Sequence, residues 1–177
     1  MAKTFEEKKF NIPKLNGISE KAIEEHLKLY AGYVKNVNEL LQEKEYNRRF
    51  PFEFDGMRNH EMYFAHFEGG PQPLSSESEF AKAEFDLERF EAMALTRGIG
   101  WAIVYYDPHT KQLLNAWVDE HHLGQLVGLS PLLVLDMWEH AYFIDYTPGE
   151  KKKYIEAFFA NLNWQNVEQN FSNARQK

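Results

Sequence analysis

The chain has 177 residues, 44% of them apolar and 15% aromatic, and contains no cysteine. This composition predicts one compact unit or two small subdomains and excludes a disordered chain, disulfides and thiolate metal sites. The net charge of −7 argues against a nucleic-acid partner. No apolar run approaches the roughly 20 residues that a bilayer requires, and Met1 to Leu15 is charged where a signal peptide would be apolar. We expect no membrane partner and a cytoplasmic location.

The chain begins with an arm and a long helix. Residues Met1 to Gly17 carry apolar side chains among charges, which is typical of an extended arm laid on a core. Ser19 is a favourable N-cap. From Glu20 to about Glu45, apolar residues recur at steps of three and four, and this period predicts one amphipathic helix.

Three residues of this helix are candidates for a site. His26 and Tyr33 are seven residues apart, close to two turns, so they share a face, and Tyr30 lies between them. A partly buried surface-helix histidine would explain His26 equally well without any ligand role.

A second helix is expected to run back against the first. The charged segment Tyr46 to Pro51 predicts a turn, and the helix should follow from Phe54 to Phe67. It carries His60, while His66, six residues on, points to another face and is interpreted as structural or solvated.

A Gly/Pro/Ser-rich segment, Gly69 to Ser76, separates this helical hairpin from the rest of the chain. It predicts an N-terminal unit of residues 1–70, comprising the arm and the hairpin, and a C-terminal unit of residues 71–177.

The C-terminal unit has the pattern of an α+β domain. We expect a helical stretch that is broken once, then three strands, then two closing helices. The fold class is therefore α+β, an N-terminal antiparallel helical hairpin followed by a three-stranded antiparallel sheet surrounded by helices. The predicted segments are Glu77 to Thr96, Trp101 to Tyr106, Leu113 to Val118, Leu132 to Leu135, Lys151 to Asn161 and Asn163 to Phe171.

The third strand ends on a candidate metal motif. The apolar run Leu132 to Leu135 leads to Asp136, and His140 follows four residues later. If a helix begins after Asp136, both side chains can point at one ion. An Asp N-cap followed by an ordinary core histidine explains an isolated D-x-x-x-H just as simply.

The full string D-M-W-E-H-A-Y at 136–142 resembles the signature of the iron/manganese superoxide dismutase family. The strings I-S-E-K-A-I-E-E-H at 18–26, A-G-Y-V-K-N-V-N at 31–38, N-H-E-M-Y-F at 59–64, G-I-G-W-A at 98–102 and N-W at 163–164 also resemble family landmarks. The resemblance implies one iron or manganese ion per subunit, possibly either, with superoxide as substrate and an antioxidant role. The implied ligands are His26, His60, Asp136 and His140.

The first-helix match leaves an alternative open. The chain is one residue shorter than the family between the ligand and the tyrosine, so an alignment without a gap would place Glu25 at the ligand position. In a regular helix, the seven-residue spacing from His26 to Tyr33 keeps both on one face, which favours His26.

The resemblance also implies residues around the ligands. The family commonly has a glutamine near the metal, from the second helix or from the loop before the third strand. The second-helix position is Gly56, and the loop position is His121, so a histidine replaces the glutamine. His121 and Tyr33 are the predicted catalytic residues, and His122 is predicted to be solvated. The residues expected to contact the ligands from outside are Trp101, Trp138, Glu139 and Tyr30.

The resemblance further implies a homodimer in which Glu139, beside a buried Trp138, reaches His140 of a second subunit. The family's other intersubunit link, between a histidine and a tyrosine, is replaced by Leu29 or Tyr30 and by Phe143.

Two other functions remain open from the residues: a catalytically silent metal-binding relative, suggested by Leu29, Tyr30 and Phe64, and a mononuclear iron oxygenase with two histidines and one carboxylate.

Overall fold

The computed structural model describes residues 4–43 and 47–176. Helices α1 (Glu20–Leu40) and α2 (Phe50–Ala65) form the N-terminal hairpin. Asn36 donates to Glu53 near the start of α2, while Tyr30 donates to Glu61 farther along it. Because the contacts run in opposite directions along the two helices, the hairpin is antiparallel, as predicted.

The N-terminal ends of both helices follow from local sequence. The Ser19 side chain accepts a hydrogen bond from the Ala22 N–H at 3.1 Å, which confirms the predicted cap. Helix α2 begins earlier than predicted: Pro51 lies in its first turn, where a missing N–H carries no penalty. Helix α1 ends at Leu40, and the predicted helix end at Glu45 and turn start at Tyr46 lie outside the described residues.

The predicted broken helix is two short helices, α3 (Glu79–Lys82) and α4 (Leu87–Ala94). Ser78 and Asp86 cap their N-terminal ends through side-chain oxygens. Between the helices, Glu84 has a φ of 56°, a conformation that no helix continues.

The sheet consists of β1 (Gly100–Asp107), β2 (Gln112–Asp119) and β3 (Ser130–Asp136), ordered β2-β1-β3 with antiparallel pairs. The central strand β1 is buried almost throughout, which explains its continuous apolar run. Gly100 begins it because a Cβ there would lie 2.2 Å from the Val118 carbonyl oxygen. The α+β fold class is therefore confirmed.

The chain after β3 differs from the prediction. Trp138 is extended, with a ψ of 149°, and only Glu139–Ala141 form a short 3₁₀ helix, so Asp136 and His140 do not share an α-helix. A second 3₁₀ helix, Pro148–Glu150, leads into α5 (Lys151–Asn161) and α6 (Trp164–Ala174). Among the described residues, no helix combines the length and apolarity needed to cross a bilayer. The boundary between residues 70 and 71 stays a prediction.

Candidate metal centre

Four side chains from four elements converge between the hairpin and the sheet. His26 comes from α1, His60 from α2, Asp136 from the end of β3 and His140 from the 3₁₀ helix. Each offers one ligand atom, and these atoms all lie within 4.8 Å of one another. The first three residues are buried and His140 is partly buried, so the cluster lies inside the protein with one side near the surface.

The Asp136 carboxylate is held in one orientation. Its Oδ1 accepts a hydrogen bond from the Trp138 N–H at 2.8 Å, which turns Oδ2 toward the imidazoles. Oδ2 lies 3.1 Å from Nε2 of both His26 and His140 and 3.7 Å from Nε2 of His60. This short Asp turn brings Asp136 and His140 together without an α-helix.

The hydrogen bonding of His60 indicates whether a metal ion fits this cluster. Its Nδ1 donates to the Gly56 carbonyl oxygen at 2.6 Å, so in the neutral ring Nε2 carries a lone pair. That Nε2 is buried and has no hydrogen-bond partner among residues 4–43 and 47–176. A buried polar atom without a partner destabilises the fold unless something binds it. Three imidazole nitrogens and one carboxylate oxygen suit iron or manganese, so the residues fit such an ion.

The electrostatics also favour ligation. Burial lowers the pKa of His26 and lowers that of His60 further below its ordinary value, which keeps both rings in the neutral form that binds metals. Burial alone would raise the pKa of Asp136, but His140 and His26 outweigh that effect and hold the pKa well below its usual range. Asp136 is therefore ionised in the interior.

His121 lies beside this cluster and is bound through both ring nitrogens. Its Nδ1 accepts from the Trp101 indole N–H at 3.0 Å, and its Nε2 lies 2.6 Å from the Tyr33 hydroxyl oxygen. Its ring stacks on Trp138 at 4.7 Å and lies 5.8 Å from the His60 ring. Burial lowers the pKa of His121 to about 4, so the ring is neutral at physiological pH.

Gly56 leaves the space that this arrangement occupies. A Cβ at this position would lie 2.8 Å from the Tyr33 ring and 3.2 Å from the His121 ring. The absence of a side chain at Gly56 on α2 therefore makes room for the His121 ring in the loop.

The loop that carries His121 is fixed by residues that the sequence did not single out. Asn59 and Gln125 both donate to the His121 carbonyl oxygen, at 3.1 and 3.0 Å. The Glu120 carbonyl accepts from the Trp138 indole, and Glu120 itself has a φ of 52°. Asn59 stands next to His60 in the N-H string, but nothing in the sequence marks Gln125.

The Tyr30 hydroxyl is hydrogen-bonded to groups outside the cluster. It accepts from the Lys8 N–H and donates to the buried Glu61. Burial raises the Tyr30 pKa to about 12. The Tyr30 ring contacts Phe64, which packs against His26. That Tyr30 supports the ligands from outside stays a prediction.

Glu139 lies on the surface of the single chain. Its side chain is exposed and forms no ion pair among the described residues, and Trp138 is only partly buried. The predicted contact of Glu139 with His140 of a second subunit stays a prediction. Glu25, the alternative first-helix ligand, is exposed and pairs with Lys28 at 2.7 Å.

The two remaining candidate histidines lie outside the cluster. His66 is buried, and its Nε2 accepts from the Val134 N–H on β3 at 3.0 Å, so its role is structural. His122 is partly buried against Phe52, where solvent exposure was expected.

Comparisons with known proteins agree with this architecture. The sequence model for the C-terminal domain of iron/manganese superoxide dismutases matches residues 75–170. A superoxide dismutase [Fe] of Aquifex aeolicus is 34% identical, with 90% of this chain and 87% of the relative covered. A superoxide dismutase [Mn/Fe] of Aeropyrum pernix is 28% identical over 94% of this chain and 92% of the relative. A superoxide dismutase [Mn] of Haloarcula marismortui is 43% identical over 54% of this chain and 49% of its own length. The chain belongs to the iron/manganese superoxide dismutase family.

Proposed function

We propose that this protein is a superoxide dismutase that converts superoxide to dioxygen and hydrogen peroxide. The observation that carries the proposal is the convergence of His26, His60, Asp136 and His140, with the His60 Nε2 buried and without a partner in the part of the chain that the structure describes. These four residues would hold one iron or manganese ion. The relatives named for iron, manganese and both metals support this choice of ion.

The bound metal would supply the one-electron chemistry, accepting an electron from one superoxide anion and returning it to the next. The residues around the cluster hold the protons that peroxide needs before it can leave. Tyr33 and His121 are the proposed catalytic pair, 2.6 Å apart beside the ligands. Trp101 and Trp138 pack around the cluster, the first with its ring 5.0 Å from His60 and the second 5.7 Å from His140, and exclude bulk water.

The test is activity after loading each metal separately. We expect iron-loaded and manganese-loaded protein both to consume superoxide, with different activities per bound metal, because His121 stands where the family commonly has a glutamine. Activity with one metal alone would contradict the dual-metal proposal. The absence of activity with both would contradict the enzyme proposal.

We further propose a homodimer in which Glu139 of each copy binds His140 of the other. Among the described residues, Glu139 is exposed and unpaired, and His140 forms a hydrogen bond only at Nε2, which leaves its Nδ1 free to donate. Phe143, 43% exposed, lies beside them on the same surface. A Glu139→Ala variant should weaken both association and metal retention, measured by sedimentation and by metal analysis. A fully active monomer at micromolar concentration would contradict this proposal.

The cytoplasmic location stays a prediction.

The metal centre also bears on the two alternative functions, a catalytically silent relative and an iron oxygenase. A catalytically silent relative is favoured by Phe64 and Leu29, which stand at unusual positions for the family, and it would retain metal without consuming superoxide. An iron oxygenase with two histidines and one carboxylate is disfavoured, since a third imidazole lies within 4.8 Å of the other ligand atoms.

A further inference from the structure

The His26 ring is held in place differently from the His60 ring. His60 Nδ1 donates to a carbonyl oxygen of its own helix, which fixes the orientation of that imidazole. In the part of the chain that the structure describes, His26 forms a hydrogen bond only at Nε2, toward Asp136. Apart from the other candidate ligands, its ring packs against Phe64, with the ring centroids 4.9 Å apart, and against Tyr63 at 5.0 Å. Packing against aromatic rings therefore sets the orientation of the His26 imidazole.

Phe64 is in turn held by the N-terminal arm. Its side chain is fully buried on α2, and its ring centroid lies 5.5 Å from that of Phe10 in the arm. The Phe10 ring also lies 5.9 Å from the Tyr30 ring on α1. Because the neighbours of a deleted side chain shift into the space it leaves, loss of the Phe10 ring would allow Phe64 to move away from His26.

A buried carboxylate attaches the arm to the helical hairpin. Glu61 on α2 is 5% exposed and accepts hydrogen bonds from the Tyr30 hydroxyl at 3.3 Å and from Arg58 at 2.8 Å. From the arm, Lys8 Nζ lies 2.9 Å from the Glu61 carboxylate, and the Lys8 N–H donates to the Tyr30 hydroxyl at 2.9 Å. A buried carboxylate requires such donors. The cluster therefore ties the arm to both helices, two residues before Phe10.

We propose that the N-terminal arm positions a metal ligand. Phe10 is a positioning residue that holds Phe64 against the His26 ring, and Glu61 is the anchor that fixes the arm on the hairpin. A ligand ring that cannot turn away keeps its nitrogen on the ion, so the arm slows the release of the metal. This role rests on the candidate metal centre and does not depend on superoxide as the substrate.

The arm also carries a matched control. Phe5 packs against Phe54, with the ring centroids 5.9 Å apart, and lies 5.1 Å from the Arg58 guanidinium. Phe5 and Phe10 are both partly buried, but only Phe10 has a ring contact with Phe64. Truncating either residue removes an aromatic contact of the arm, whereas only truncation of Phe10 removes the support of the His26 ring.

The first test is the rate at which the manganese-loaded, full-length chain loses its ion to excess chelator. We expect Phe10→Ala to release manganese about 10-fold faster than the unaltered chain, because it frees one ligand ring. Phe5→Ala should release it at close to the unaltered rate. Equal acceleration in both variants, or none in Phe10→Ala, would overturn the proposal.

The NMR signals of the His26 ring in the metal-free chain give a second readout, which needs no bound ion. We expect these signals to shift or broaden in Phe10→Ala, since the ring gains freedom to turn, and to stay in place in Phe5→Ala. Unchanged His26 signals in Phe10→Ala would overturn the positioning role even if that variant lost metal faster.

The anchor is tested separately. Tyr30→Phe removes the hydroxyl that binds the Lys8 N–H and Glu61 but keeps the ring beside Phe10, and Glu61→Gln leaves one acceptor oxygen for three donors. Both should speed amide hydrogen exchange at Lys8 and the release of manganese. Unchanged exchange would overturn the anchor, and faster exchange without faster release would overturn the link from the arm to the ligand. Inactivity of the unaltered, metal-loaded protein toward superoxide would remove the proposed function and leave both measurements valid.

Discussion

The two sides of the candidate centre differ in how complete they are within the chain. On one side, His26, His60, Asp136 and His140 bring three imidazole nitrogens and a buried carboxylate together, and the His60 Nε2 has no partner among the described residues. On the other side, His121 is bound at both ring nitrogens, by Trp101 and Tyr33.

Folding alone positions the His121 side, whereas a bound ion completes the ligand side. The His121 side is organised by hydrogen bonds and stacking that the folded chain supplies, so it is positioned in advance. The ligand side gathers groups that are costly to bury, and a cation would stabilise them. Substitutions on the ligand side should therefore change metal retention, whereas substitutions on the His121 side should change the activity per bound metal.

The largest effect is expected on the ligand side. His26→Ala, His60→Ala and His140→Ala, together with Asp136→Ala, should each abolish metal retention, because each removes one of four donors. Metal content after dialysis against a chelator measures this. His122→Ala is the matched control and should retain metal, since His122 lies outside the cluster. Full retention by any of the four variants would remove that residue from the ligand set.

A smaller effect is expected on the His121 side. Gly56→Ala places a Cβ 2.8 Å from the Tyr33 ring and should displace Tyr33 and His121. We expect metal to be retained and activity per bound metal to fall about 10-fold. Gly32→Ala on α1 is the control, because no described residue outside the backbone of its own helix lies within 4 Å of a Cβ added there, and alanine stabilises a helix by about 1 kcal/mol relative to glycine. A matching loss in both variants would show that crowding at Gly56 is not the cause.

His66 offers a comparison with a buried histidine outside the site. Burial lowers the pKa of His66 from its ordinary value of 6.5 to about 3, so the native state keeps the ring neutral while the unfolded chain binds a proton below pH 6.5. Its contribution to stability is full above pH 6.5 and is lost as the pH falls toward 3. From pH 7 to pH 5 this loss is about 2 kcal/mol.

Urea unfolding at both pH values tests this expectation. His66→Gln should show a weaker loss of stability on acidification than the unaltered chain. His109→Gln, at an exposed position in the β1–β2 turn, is the matched control for replacing a histidine outside the core. Identical pH dependence of His66→Gln and the unaltered chain would contradict the assignment to His66.

The smallest effect concerns the backbone before His121. Glu120 has a φ of 52°, which disfavours a side chain, so Glu120→Gly should stabilise the fold by about 0.5–1 kcal/mol. Glu84→Gly, with a native φ of 56°, should do the same far from the site. Chemical unfolding measures both. Destabilisation by Glu120→Gly alone would mean that its side chain supports the His121 loop.

Local pattern was sufficient for much of the fold. The period of α1, the Ser19 cap and the alternation of strands and turns predicted the hairpin and the sheet, because these features depend on neighbours in the sequence. The start of α2 was missed because Pro51 signals a turn and a first helical position equally well. The D-M-W-E-H-A-Y string predicted Asp136 and His140, the family-like strings at 18–26 and 59–64 predicted His26 and His60, and the loop position predicted His121.

What the sequence left open were contacts between distant segments. The donation from Trp101 to His121, the outward direction of Glu139 and the attachment of Tyr30 to Glu61 each join or separate elements far apart in the chain. Residue identity limits which groups can donate or accept, and it names Trp101 as a donor without naming its acceptor. The partner is set by how the sheet, the hairpin and the loop pack together, because a hydrogen bond requires a distance and an angle that only the packed chain supplies.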